Sequence, residues 1–210
     1  MLKGVKNIIF DIGGVLVDLD KDRCVEEFTR IGFPQAAELI DFYHPAEFFN
    51  KLERGAISVN ECCDIIRQMA ENDSITNEQI SGAYSAFLMG IPVEKLRLMR
   101  SLREAGYKIY ALSNINALVI DRIYEFFETD GFDKDYYFDK MFLSFEMKAL
   151  KPDREIFDLV IAQSGVEPCE TLFIDDSLHN VNMGREVGFE IYMPEPREDF
   201  SHLFDEVLGK

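Results

Sequence analysis

The sequence is short of basic residues, and it has no long apolar run. Its 210 residues include 22 Lys and Arg against 39 Asp and Glu, which gives a formal net charge of −17. A strongly acidic surface repels nucleic-acid backbones and anionic membranes, so we expect neither as a partner. The same charge repels a phosphorylated substrate, so an anion site in this chain needs compensation by a metal, a lysine or backbone N–H groups.

Cysteine and histidine are also scarce. The residues concerned are Cys24, Cys62, Cys63, Cys169, His44, His179 and His202. Their spacing fits no zinc site, and free thiols in a reducing compartment are the expected state. The first apolar run is short and is broken by Asp11 and two glycines, which argues against a signal peptide or a membrane span. These features predict a cytoplasmic protein. We expect a monomer or a homodimer, although no feature of the sequence distinguishes the two.

Strand-like and helix-like patterns alternate over much of the chain. Short apolar runs predict strands at 7–10, 107–112, 171–174 and 189–193. Helical spacing of apolar residues, bounded by Pro or Gly, predicts helices at 93–105, 153–164 and 180–187. This alternation predicts an α/β fold with a parallel sheet and helices on both faces.

The stretch from about residue 20 to residue 90 differs, because it shows helical periodicity and no clear strand. The amphipathic segments are 24–31, 36–43, 45–55, 58–70 and 77–88. An all-helical insert after the first strand predicts a cap domain over the edge of the sheet. We therefore expect a core from 1–17 and 91–210 and a cap from 18–90.

Polar residues follow three of the predicted strands. They are Asp11, Ser113, Asn114, Asp175 and Asp176. Ligands of parallel sheets bind beyond the carboxyl ends of the strands. Carboxylates there can attack an electrophile or hold Mg²⁺, and Ser113, the N–H of Asn114 and Lys151 can hold phosphoryl oxygens. Phosphoryl transfer depends mainly on positioning and charge stabilisation, which such a set supplies.

The motifs that carry these residues resemble those of the haloacid dehalogenase-like (HAD) hydrolase superfamily along essentially the whole chain. They are FDIGGVLVD (10–18), LSN (112–114), KP (151–152) and FIDD (173–176), the last followed by Asn180. The resemblance implies a Rossmann-like core with a helical cap after the first motif. It also implies Mg²⁺ as cofactor and an aspartyl-phosphate intermediate in a phosphatase reaction on a small phosphorylated substrate.

Carried onto this sequence, the resemblance gives each residue a role. Asp11 becomes the nucleophile and a metal ligand, and Lys151 offsets the charge of the phosphoryl group. Asp176, with Asp175 beside it, supplies further metal carboxylates, and the Gly13 carbonyl completes the metal set. Phosphate binding falls to Gly13, Gly14, Ser113, Asn114 and Lys151.

One position departs from the usual pattern of the family. Phosphatases of this family usually carry an acid two residues after the nucleophile, where this chain has Gly13. A positioned general acid or base contributes roughly 10²–10⁴-fold in rate, so turnover is expected to be slow unless a water, a cap residue or the substrate supplies the proton. Within the superfamily, the sequence is most similar to a bacterial subgroup that includes a glucose-1-phosphate phosphatase. That subgroup shares the FD-x-G-x-V start and so also has glycine at this position.

Three other functions stay open at this stage. A 2-haloacid dehalogenase would use Asp11 without a metal, a regulatory protein would bind without turnover, and a mutase would need the acid that Gly13 lacks. In the predicted cap, residues that could line a substrate pocket are Tyr43, His44, Glu47, Phe48, Phe49, Glu53 and Arg54. A Phe at helical spacing is more often a core residue.

Overall fold

The computed structural model describes residues 3–40 and 46–209. In chain order, the strands are β1 (Asn7–Phe10), β2 (Asp18–Leu19), β3 (Leu88–Gly90), β4 (Lys108–Ser113), β5 (Lys140–Leu143), β6 (Thr171–Ile174) and β7 (Glu190–Tyr192). The helices are α1 (Lys21–Arg30), α2 (Ala36–Leu39), α3 (Glu47–Glu53), α4 (Val59–Met69), α5 (Asn77–Ser85), α6 (Val93–Glu104), α7 (Ile120–Phe127), α8 (Lys134–Tyr137), α9 (Ser144–Met147), α10 (Arg154–Ser164), α11 (Leu178–Glu186) and α12 (Asp205–Leu208).

Five parallel strands form the main sheet, in the order β5-β4-β1-β6-β7. The central strand β1 is buried along its whole length, as its unbroken apolar sequence predicts. Ile8 and Phe10 pack into the core on one face of the sheet, and Ile9 packs into the core on the other. Helices therefore cover both faces, which confirms the predicted α/β fold class.

Four of the five strands lie where the sequence predicts them. The edge strand β5 lies outside the predicted set, because its four residues begin at the exposed Lys140 and give too short an apolar run. The helices α6, α10 and α11 match the predicted helices, and α11 begins two residues early, at Leu178.

The helices α1 to α5 follow the first strand and its loop. They pack around shared buried rings, including Phe28, Phe49 and Tyr84. Capping boxes begin two of these helices: Ser58 with Glu61 at α4, and Thr76 with Gln79 at α5. The segment 36–43 is helical up to Leu39, and its last three residues lie outside the described part of the chain.

The expectation of no strand between residues 20 and 90 is wrong in one respect. The helix expected over 77–88 ends at Ser85, and Leu88–Gly90 forms a strand antiparallel to β2. The pair is two to three residues long, so it offers no alternation that could be read from the sequence. It joins the two connections that enter and leave the helical segment.

None of the helices in the described ranges is both long enough and apolar enough to cross a bilayer.

Candidate active site

The carboxyl ends of three adjacent strands bring the predicted polar residues together. Phe10 at the end of β1 pairs with Ala111 of β4 and Ile174 of β6, so the residues that follow meet at one edge. The Asp11 N–H donates to the Ile174 carbonyl at 2.8 Å, which continues the parallel pairing one residue past the strand. Asp11 is thereby fixed at the centre of the edge.

A buried lysine sits between two carboxylates at this edge. The Lys151 Nζ lies 2.6 Å from Asp175 Oδ2 and 3.0 Å from Asp11 Oδ1, and its side chain is 1% exposed. A buried charge is tolerated only when it is paired and hydrogen-bonded. Lys151 therefore places a positive charge between the two carboxylates.

Asp175 is held by three partners and has no exposed surface. Besides Lys151, its carboxylate accepts hydrogen bonds from Asn180 Nδ2 at 3.0 Å and from the Ser177 N–H at 2.9 Å. These bonds fix its orientation toward the lysine. Asn180, the residue that follows the fourth motif, thus orients Asp175 from the first turns of α11.

Asn114 fixes the backbone of Lys151. The Asn114 side chain donates to the Lys151 carbonyl at 2.8 Å and accepts from the Lys151 N–H at 2.8 Å. This reciprocal pair clamps the loop before α10 to the end of β4. The amide side chain of Asn114 is therefore occupied in positioning Lys151.

Three carboxylates lie close enough to share one cation. Asp11, Asp175 and Asp176 each offer an oxygen, and these atoms lie within 4.8 Å of one another. Carboxylate oxygens are the hard ligands that Mg²⁺ and Ca²⁺ prefer. Because Asp175 faces Lys151, Asp11 and Asp176 are the more open pair.

Two glycines follow Asp11, and the second gives Asp176 its space. Gly14 has φ of +77°, and a Cβ there would lie 2.2 Å from Asp176 Oδ2. A Cβ on Gly13 would meet only the side chain of Leu19, at 3.5 Å. A side chain is thus excluded at Gly14 and sterically allowed at Gly13.

Burial has the largest effect on the pKa of Asp11. It raises the pKa of Asp11 to about 7, with Lys151 opposing the rise and the charges of Asp175 and Asp176 adding to it. Burial alone would lower the pKa of Lys151, but Asp11 and Asp175 raise it, so the amine stays charged. The site therefore holds one fixed cation beside Asp11, whose charge depends on pH and on any added cation.

A cavity of about 360 Å³ opens between this edge and the helical segment. At the sheet its walls include Gly13, Gly14, Ser113, Asn114 and Asp176. Opposite, the walls are mainly apolar: Ile40, Phe49, Tyr84, Phe87, Leu88, Ile115, Val119 and Ile123. The charged lining residues are Asp18, Lys21, Glu53, Asp176 and Arg197. A small molecule can thus place one end at the carboxylates and the other against apolar walls.

Some of the helical-segment residues that were predicted to line a substrate pocket do so, and others do not. Phe49 and Glu53 line the cavity. Glu47 points to solvent and pairs with Lys51, and Arg54 pairs with Asp153 at 2.7 Å. Tyr43 and His44 lie outside the described residues. His179, close to Asp176 in the sequence, is exposed.

One polar contact near the site gave no sequence signal. Lys95 of α6 is buried, and its Nζ donates to the Val15 carbonyl at 2.5 Å and lies 3.7 Å from Asp18 Oδ1. It fastens the loop after β1, including the turn closed by the Gly14 N–H on the Val17 carbonyl. A lysine in a helix otherwise looks solvated, so only the fold shows its role. Asp18, the last residue of the first motif, lines the cavity.

With this geometry established, the comparisons with known proteins define the family. A profile of the haloacid dehalogenase-like hydrolase family matches residues 5–188. The chain belongs to this family and is a hydrolase by class.

Individual relatives are similar over nearly their full lengths. A D-ribitol-5-phosphate phosphatase from Bacteroides thetaiotaomicron is 36% identical over 98% of this chain and 99% of its own. The crystal structure of a HAD-family enzyme from the same organism, in complex with magnesium and inorganic phosphate, is 40% identical, with a TM-score of 0.90 over 95% of this chain and 99% of that one. A HAD-like hydrolase structure from Porphyromonas gingivalis is 34% identical, with a TM-score of 0.89 and 98% of each chain covered.

The contrast between the two glycines generates a matched pair of variants. We expect Gly14→Ala to displace the Asp176 carboxylate, because the added methyl and the positive φ cannot both be accommodated. Mg²⁺ affinity, measured by calorimetry, should fall at least roughly tenfold, as for losing one orienting contact of a metal ligand. Gly13→Ala, whose methyl has room, should bind Mg²⁺ nearly as the parent does. Equal affinities for both variants would contradict this assignment.

The raised pKa of Asp11 predicts a pH-dependent gain in stability when its charge is removed. An acid with a raised pKa stabilises the fold while protonated, and that contribution is lost as pH rises from its ordinary 3.8 through about 7. In EDTA at pH 8, Asp11→Asn should therefore melt higher than the parent by roughly 5 °C.

The difference in melting temperature between Asp11→Asn and the parent should shrink toward pH 5. Thermal melts at pH 8 and at pH 5 measure it. Asp73→Asn, at an exposed acid, is the control and should change little at either pH. A gap for Asp11→Asn that stays constant with pH would contradict the assigned burial cost.

Proposed function

We propose that the protein is a Mg²⁺-dependent phosphomonoester hydrolase that acts on a small sugar or polyol phosphate through phosphorylation of Asp11. The observation that carries this proposal is the arrangement at the sheet edge. Asp11 pairs with a buried lysine and belongs to a group of three carboxylates that can share a cation, beside a cavity lined by Ser113. Such a set supplies a nucleophile together with compensation for the charge of a phosphate.

The residues present fit Mg²⁺. Asp11 and Asp176, with Asp175 behind them and the Gly13 carbonyl beside them, would hold the ion through oxygen atoms. When bound, the ion neutralises charge on the phosphoryl group and on Asp11. Because Gly14 has no side chain, there is room for the Asp176 carboxylate beside the ion.

The chain's own residues account for binding and attack. The Ser113 hydroxyl, the N–H of Asn114 and the backbone at Gly13 and Gly14 would hold phosphoryl oxygens at the mouth of the cavity. Lys151 would place a positive charge beside the same oxygens and beside Asp11. An Asp11 carboxylate oxygen then attacks phosphorus in line with the ester oxygen, and water later attacks the aspartyl phosphate to release phosphate.

The substrate class rests on the relatives and on the shape of the cavity. One relative is named for a polyol phosphate, D-ribitol 5-phosphate. A cavity of about 360 Å³ suits a small metabolite of five or six carbons, with Glu53 and Asp18 available to its hydroxyl groups. A hexose phosphate would fit the same description.

The helical segment 18–90 serves as the cap and 1–17 with 91–210 as the core in this proposal. Packing of α1 to α5 on one another, and the β2–β3 pair at the joint, support that division. A cytoplasmic location, no nucleic-acid or membrane partner, and a monomer or homodimer belong to the same proposal.

Haloacid dehalogenation is supported less well. That reaction would use Asp11 to attack carbon and would need no cation. Two further carboxylates beside Asp11 would then raise the cost of ionising it without serving the reaction.

The direct test is phosphate release from a panel of esters, namely D-ribitol 5-phosphate and hexose 1- and 6-phosphates, with Mg²⁺ and with EDTA. We expect Mg²⁺-dependent release by the parent. Asp11→Asn should lower kcat by at least about 10⁴-fold, because an amide cannot replace the nucleophile.

Asp73→Asn is the control and should retain parental turnover. Release by Asp11→Asn near the parental rate would contradict the nucleophile assignment. Halide release from a 2-haloacid without Mg²⁺ would favour the dehalogenase.

A further inference from the structure

An alkyl phosphate ester needs a proton that the residues after Asp11 cannot supply. The alkoxide of a sugar or polyol is a poor leaving group unless it is protonated as the bond to phosphorus breaks. Gly13 has no side chain, and Asp11, Asp175 and Lys151 are bound to one another. A side chain on the opposite wall of the cavity could supply that proton.

Glu53 stands at that place. It is the last residue of α3, it is half-buried, and it lines the same cavity as Ser113 and Asp176. No residue in the described ranges donates a hydrogen bond to its carboxylate. A carboxylate that lines the cavity and accepts no hydrogen bond from the described residues is available for proton transfer.

The backbone around Glu53 is fastened to the core. The Ser144 Oγ lies 2.7 Å from the Glu53 carbonyl and accepts from the Ile115 N–H, two residues after Ser113. Arg54 pairs with Asp153, two residues after Lys151.

Gly55 adds a third attachment through close approach. With φ of +61° it comes so near the core that a Cβ would lie 2.2 Å from the Phe145 carbonyl oxygen. These contacts hold the end of α3 against the loops that carry the proposed phosphate-binding residues.

The charges around Glu53 favour a proton on it near neutral pH. Burial and then the charge of Asp11 raise the pKa of Glu53, Lys151 lowers it, and together they bring it to about 7. Among the titratable groups on elements packed against it, the following are engaged or neutral: Tyr84, Cys62, Cys63, Arg54, Asp153 and Lys148. Burial raises the pKa of Tyr84 and of both thiols, and Lys148 Nζ donates to the Gly55 carbonyl. On α4 and α9, Arg67 pairs with Asp64, and Glu61 and Glu146 are exposed. Across the cavity, the charged lining residues are Asp18, Lys21, Asp176 and Arg197.

We propose that Glu53 is the general acid and base of the reaction, in place of the side chain that Gly13 lacks. In the first step, Asp11 forms a bond to phosphorus, the bond from phosphorus to the ester oxygen breaks, and the Glu53 proton passes to that oxygen. In the second step, Glu53 takes a proton from a water molecule. The water oxygen forms a bond to phosphorus, and the bond from phosphorus to Asp11 breaks. The proposal rests on the function proposed above.

The test compares two leaving groups in Glu53→Gln, which keeps the shape and removes the titration. kcat/KM reports the steps up to release of the alcohol or phenol. For an alkyl ester such as D-ribitol 5-phosphate it should fall about 10²–10⁴-fold. For p-nitrophenyl phosphate, whose phenolate leaves without a proton, it should change less than roughly tenfold. The fall in kcat/KM for the alkyl ester above about pH 7 should be seen in the parent and be absent in Glu53→Gln.

Glu47→Gln, at the exposed first residue of the same helix, is the matched control and should behave as the parent. Equal losses for both esters in Glu53→Gln would make Glu53 a structural or binding residue and overturn the proposal. An alkyl kcat/KM within about threefold of the control would overturn it as well. If the parent releases phosphate from neither ester, the proposed function itself fails, which is a separate outcome.

Discussion

The ion pair network of Lys151 is the interaction on which the rest of the site depends. Its buried amine lies between Asp11 and Asp175, and each partner is held in turn by backbone or amide contacts. Removing the lysine would leave two buried acids without their counter-charge, and breaking a buried pair in this way typically costs about 3–5 kcal/mol. The positive charge of Lys151 therefore favours the ionised form of Asp11 against burial and against the neighbouring acids.

The second constraint is that the backbone passes very close to neighbouring groups at two places, and a glycine occupies each of them. Gly14 lets the loop after β1 pass beside Asp176, and Gly55 lets the end of α3 lie on the core. The first approach brings acids from two strands into one group. The second brings Glu53 to the cavity opposite that group, so that the helical segment contributes chemistry as well as enclosure in our account.

The sequence predicts the central part of the fold well, since β1, β4 and β6 are buried apolar runs that end at polar residues. The HAD family and fold class are confirmed. The edge strand β5 and the short β2–β3 pair carry too little pattern to be predicted. Long-range pairing is likewise invisible in a sequence: Lys95 at the Val15 carbonyl and Ser144 beneath Glu53 are joined only by the fold. The roles of individual site residues stay predictions.

The central claim is that phosphate passes through Asp11, and trapping that state tests it most directly. Rapid acid quench of the enzyme during turnover of D-ribitol 5-phosphate with Mg²⁺, followed by peptide mass spectrometry, locates the phosphoryl group. Our account predicts one phosphoryl group on the peptide that contains Asp11, and none in Asp11→Asn. Phosphate release with the phosphoryl group on another residue, or with no phosphoenzyme at any quench time, would contradict it.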